Sequence, residues 1–129
     1  FQPDLRLVRR EGKAERISSD RIKVMWGPAD NYNCGESDVF TAGVLNVKPD
    51  IHSIHSKDLR VNNGIALDFD YLPFGEGQTD YATVFRSLRD NNLDPVVSIS
   101  THWTPPNGSR VDAMRTQVAN VFSLMESLD

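Results

Sequence analysis

The residues able to do chemistry fall in three short stretches. Ile51-His52-Ser53-Ile54-His55-Ser56-Lys57-Asp58 alternates apolar and polar positions, then ends in an imidazole, an amine and a carboxylate. Imidazole changes charge near neutral pH and serves as acid, base or metal ligand, so His55 is a candidate for each role. The other reading is a strand-end histidine whose hydrogen bonds are satisfied locally, and His52 is read as structural. Lys57 and Asp58 either contact substrate or form an ion pair that shapes the loop. A second stretch, Ile22 to Trp26, stops at Gly27-Pro28 and delivers Asp30. In the third, Pro95-Val96-Val97-Ser98-Ile99-Ser100 runs into Thr101, His102 and Trp103. Trp26 and Trp103 offer aromatic faces suited to the C–H groups of a sugar, or to packing.

The elements that must position these groups can be read from periodicity. Residues 22–26, 51–56 and 95–100 read as strands. Ser37 is placed to cap a short helix carrying Val39, Phe40, Val44 and Leu45, and Pro49 ends it. Residues 59–77 read as a long loop with a turn at Asn62-Asn63-Gly64. Tyr81, Val84, Phe85 and Leu88 share one helical face behind an Asp80 cap, predicting a helix over 81–91. Ser109-x-x-Asp112 opens a final helix with an apolar stripe of Met114, Val118, Val121, Phe122, Met125 and Leu128. Gly75-Glu76-Gly77 lacks the features of a phosphate loop and reads as a turn feeding the 81–91 helix. Near the start, 5–9 and 15–17 read as short strands and 1–20 as an uncertain N-terminal segment. Residues 21–129 form the βα units. Helices between successive strands predict an α/β fold with a parallel sheet, and every polar cluster follows a strand, the edge where such folds place ligand sites.

Composition bounds the function. The chain has 129 residues, 39% hydrophobic and 25% charged, with a net charge of −4. That balance suits one globular domain and argues against general nucleic-acid binding. Arg6, Arg9, Arg10, Lys13 and Arg16 cluster near the start and read as a solvated face. Cys34 is the single cysteine, which excludes an internal disulfide and points to a cytoplasmic setting. It has no base beside it in sequence to make it a nucleophile. No apolar run approaches the roughly 18–20 residues of a membrane span. The chain opens on Phe1, as expected of a processed chain or part of a longer one.

Four segments together resemble the sugar phosphate isomerase/epimerase family, the xylose-isomerase-like (β/α)8 barrels. Lys23-Val24-Met25-Trp26-Gly27-Pro28-Ala29-Asp30-Asn31 resembles a strand ending in W-D-P-A-N. Ile51 to Asp58 resembles a strand ending in H-x-K-D. Pro73-Phe74-Gly75-Glu76-Gly77-Gln78-Thr79-Asp80-Tyr81 resembles a P-x-G-x-G-x-x-D-[FY] loop, and Val96 to Ser100 a last strand that normally ends in Glu. The resemblance spans about residues 20–129 and implies the C-terminal half of a (β/α)8 TIM-type barrel, since a complete one takes about 250 residues.

The resemblance implies a divalent cation (Mn, Mg, Zn or Co) held by two Glu, one Asp and one His, polarising a sugar substrate for proton transfer. Carried over, His55 matches the metal histidine, and Arg60 lies near a substrate-binding arginine. The metal Asp, however, is Gly27 here and the metal Glu is Ser100. The candidate set is therefore His55, Asp58 and Arg60 for catalysis, with Trp26, Asp30, Lys57, His102 and Trp103 for substrate; His55 is the one expected metal ligand. The expected function is a sugar or sugar-phosphate isomerase/epimerase with a degraded metal site. The alternatives are a non-catalytic, self-associating half-barrel and, by distant analogy, an abasic-site endonuclease. A homo-oligomer or a missing N-terminal half-barrel is the expected partner, with neither nucleic acid nor membrane involved.

Overall fold

The computed structural model describes residues 23–128. The early strands at 5–9 and 15–17, the start of the first strand at Ile22 and the basic cluster lie outside the described residues. Three parallel strands form the framework: β1 (Val24–Trp26), β2 (Ile51–Ser56) and β5 (Val96–Ile99), in the order β1-β2-β5. Trp26, Ile54 and Val97 lie side by side in this sheet, as do Met25, Ser53 and Val96. Because side chains alternate along a strand, these two rows occupy opposite faces. Trp26 and Ile54 are buried with Val39, Val44, Val84 and Leu88 in the main core. His55 shares the other face with Ser53.

The connections supply the helices. Pro28 begins α1 (Pro28–Asn33), where its missing N–H costs nothing. This single turn and a half replaces the polar loop expected after β1. The helix expected from Ser37 is shorter, α2 (Ala42–Val47), with Val39 buried ahead of it. Helix α3 (Tyr81–Asp90) starts as expected, with the Asp80 carboxylate accepting from the Thr83 N–H at 2.9 Å. Helix α4 (Arg110–Ser127) carries the full Ser109/Asp112 capping box.

Two expectations are corrected. The supposed loop after β2 contains an antiparallel hairpin, β3 (Asp58–Asn63) and β4 (Asp68–Leu72). Leu59 pairs with Tyr71 and Val61 with Phe69, while Arg60 faces Asp70, so each row unites like with like. The apolar stripe of α4 is also largely outward. Ala113, Gln117 and Val121 are buried, whereas Met114, Phe122 and Met125 are exposed. Polar contacts anchor the inward side: Gln117 Oε1 accepts from the Phe74 N–H at 2.7 Å, and Asn120 Nδ2 donates to the Phe74 carbonyl at 2.9 Å. Phe74, Tyr81 and Val121 make the second core cluster. No helix among the described residues is long and apolar enough to cross a membrane.

Candidate functional site

Strand β2 ends in backbone held from several directions. Ser56 Oγ donates to the Ser98 carbonyl at 2.9 Å, and the Ser100 N–H donates to the Ser56 carbonyl at 2.9 Å. The Tyr81 hydroxyl donates to the Lys57 carbonyl at 2.6 Å and accepts from the Lys57 N–H at 3.0 Å. Tyr81 packs against Phe74 and Phe85, and burial pushes its phenol well above the usual range. One buried aromatic residue therefore fixes the peptide on both sides of Lys57.

Asp58 is fixed more tightly still. Its carboxylate accepts from the N–H groups of Leu59, Gly75, Gly77 and Thr79, at 2.9–3.1 Å. It is 1% exposed. The catalytic role expected of Asp58 is thus corrected to a structural one: its oxygens are committed to the loop. The loop 75–79 does cradle an anion, and that anion is the chain's own carboxylate.

With this backbone set, four of the expected residues converge. Asp30, on α1, places Oδ1 2.6 Å from Lys57 Nζ and Oδ2 3.7 Å from His55 Nδ1. The longer distance exceeds a direct hydrogen bond. The His55 and His102 rings meet edge to face at 6.1 Å. Tyr71 of β4 stacks on His102 at 4.6 Å, and its ring centre lies 5.9 Å from Lys57 Nζ. Burial, then the charges of Lys57 and His55, lower the His102 pKa below the usual histidine value. Tyr71 lies within residues 59–77, which read as a loop in sequence, so it is not among the expected site residues. The alternation of Leu59 and Val61 with Phe69 and Tyr71 around Asn63-Gly64 was the available signal. Tyr81 was read only as an apolar helix residue.

Three expected residues are not brought in. Trp26 is 4% exposed in the main core, so its substrate-lining role is corrected to packing. Arg60 sits on the solvent side of the hairpin, with Nη2 3.3 Å from Asp70 Oδ2. Trp103 is half-buried in the loop after β5 and makes no ring contact among the described residues. A cleft of ≈ 410 Å³ is lined by Tyr32, Asn33, Cys34, Glu36, Val61 and Leu67 among others. None of the converging side chains lines it; the cluster is the candidate site because it joins an imidazole, an amine and a carboxylate at the strand ends.

Among the described residues, and with Lys57 on Asp30, the donor set does not fit a divalent cation. Gly27 has no side chain, and Ser100 presents a neutral hydroxyl where a carboxylate is expected. The Asp30 carboxylate already holds an ammonium. No group of three His, Cys, Asp or Glu side chains converges as a ligand set among the described residues. Expected as the metal histidine, His55 instead stands beside a carboxylate, a second imidazole and a lysine.

No family model matches the sequence, and none of the curated proteins does. Among solved structures, the crystal structure of a xylose isomerase domain protein from Planctomyces limnophilus superposes with a TM-score of 0.67 at 13% identity. The match covers 89% of this chain and 40% of that one. The likeness shows a mixed α/β fold built on a parallel sheet, shared with part of that protein, and the chain spans under half the length of that neighbour.

Proposed function

We propose that this chain is the C-terminal part of a barrel acting as a sugar or sugar-phosphate isomerase/epimerase in the cytoplasm. One observation carries the reading: Asp30 bridges Lys57 and His55 at the carboxyl ends of adjacent parallel strands. The carboxylate lies on the Nδ1 side of the imidazole, and Nε2 is the nitrogen that takes the proton. In an α-hydroxy carbonyl compound, His55 takes the proton from the carbon next to the carbonyl. The C–H pair forms the C=C bond of an enediolate, and the carbonyl π pair moves to oxygen. Return of the proton to the former carbonyl carbon, with the hydroxyl proton passing to the other oxygen, gives the isomer; its return to the original carbon from the opposite face gives the epimer. The complete protein, incubated in deuterium oxide with a panel of aldoses, ketoses and their phosphates, is expected to incorporate deuterium beside the carbonyl. His55→Asn is expected to slow incorporation by about 10²–10⁴-fold. Absence of exchange with every compound sinks this reading.

A second reading, a self-associating half-barrel, is favoured by the sheet face opposite the main core. Met25 and Val96 on that face are 63% and 60% exposed. Either a second copy or the rest of a longer chain covers it. Sedimentation of the protein decides: a monodisperse monomer removes self-association.

A further inference from the structure

We infer that the Lys57–Asp30 pair stands where the resemblance places a divalent cation, and that the Lys57 ammonium is the electrophile that holds the substrate oxygen. The inference rests on the proton-transfer reading and names how its negative charge is stabilised.

The space at Gly27 supplies the first argument. A Cβ built on Gly27 runs into the Asp30 carboxylate, lying 3.2 Å from its Cγ. The carboxylate of Asp30 thus occupies the space that a side chain at position 27 would take. The acidic group expected from the strand end is supplied by the following helix, three residues on.

The second argument is what that carboxylate holds. Its Oδ1 lies 2.6 Å from an ammonium whose side chain is only 10% exposed. A divalent ion on Asp30, whose side chain is 50% exposed, would share one carboxylate with a positive charge 2.6 Å away. Coordination at Asp30 therefore competes with Lys57, whose backbone the Tyr81 hydroxyl holds.

The third argument is chemical. Enediolate formation needs a positive charge or proton donor at the carbonyl oxygen, and an ammonium supplies both. Asp30 is the hydrogen-bond partner of Nζ among the described residues, which leaves N–H groups for a substrate oxygen. Tyr71 covers one side of the amine. Asp30 holds the lysine amine in place for that contact.

Binding of Mn²⁺ tests the inference without reference to turnover. The complete protein, stripped with chelator, is titrated with Mn²⁺ and followed by electron paramagnetic resonance. The wild type is expected to bind no stoichiometric Mn²⁺ through this cluster, and Lys57→Arg to behave the same. Lys57→Met frees Asp30 and is expected to bind Mn²⁺ about ten-fold or more tightly than the wild type. One Mn²⁺ bound per wild-type chain, and lost in His55→Ala, overturns the inference. So does Lys57→Met, folded by circular dichroism, that gains no affinity. Where sugar exchange is found, it is expected to survive chelation and to fall about 10²–10³-fold in Lys57→Met. Exchange abolished by chelator and restored by Mn²⁺ also overturns the inference. Failure of all sugars to exchange rejects the proton-transfer reading and the electrophile with it, while the Mn²⁺ titration still decides whether the pair excludes a cation.

Discussion

The Gly77 N–H donates to Asp58 Oδ2 at 2.9 Å, and this contact seats the 73–80 loop against the end of β2. A Cβ on Gly77 would overlap the Asp58 carboxylate and lie 2.6 Å from the Leu59 carbonyl oxygen. Neither neighbour is the free end of a flexible chain. Gly77→Ala is expected to cost roughly 2–4 kcal/mol, read as a lower urea midpoint with unchanged slope. A midpoint equal to the wild type would show that the loop relaxes without loss.

Asp58→Asn tests the other partner. An amide keeps the shape but turns an N–H₂ toward backbone donors that now meet a carboxylate. The loss is expected to be roughly 2–3 kcal/mol, since hydrogen bonds to a charged acceptor are the stronger kind. Circular dichroism in urea measures it. A neutral effect would return Asp58 to the list of groups free for catalysis.

Gln117 is the polar residue on the buried side of α4, 2% exposed and bonded to the Phe74 N–H. Gln117→Leu fills the same volume but leaves that N–H without its acceptor. Stability is expected to fall by roughly 1–3 kcal/mol despite the gain in apolar character. Thermal unfolding checks the sign. A stabilised variant would mean that Phe74 finds another acceptor.

His102 sets a pH dependence. Its folded pKa lies below the usual value of 6.5, through burial first and then Lys57, His55 and Arg110; Asp30 opposes them. The unfolded chain therefore takes up the proton first as pH falls. The stability held by the neutral ring is complete above the unfolded value and is lost as pH falls through the folded one. The ring keeps contact with water, so the slope is shallow. Urea midpoints between about pH 8 and pH 5 are expected to fall, and His102→Phe, which keeps the stack on Tyr71, is expected to flatten part of that decline. A proton NMR titration showing a value above 6.5 would reverse the sign.

The parallel βα order, the α3 cap at Asp80 and the Ser109 box of α4 were legible in sequence. Each depends on local spacing: alternation in strands, the helical face of Tyr81, Val84 and Leu88, and side chains that bond their own next turn. The hairpin was half legible, its turn at Asn63-Gly64 recognised and its alternating flanks not weighed. The inward face of α4 was hidden because Gln117 on that face bonds distant Phe74, a contact that the apolar stripe does not reveal.

By itself, the sequence determined which groups gather at the strand ends: Asp30 after the first, His55 and Lys57 at the second, His102 after the third. Period-two strands release their functional residues at one edge, and parallel order brings those edges together. Only the tertiary structure decided which of them act jointly. Asp58 and Lys57 are neighbours in sequence, yet one is consumed by four backbone amides while the other reaches Asp30. Gly27 reads in sequence as a missing ligand. In space it is the opening that lets the Asp30 carboxylate fold back toward Lys57. Such outcomes depend on contacts between segments far apart in the chain, which no local pattern encodes.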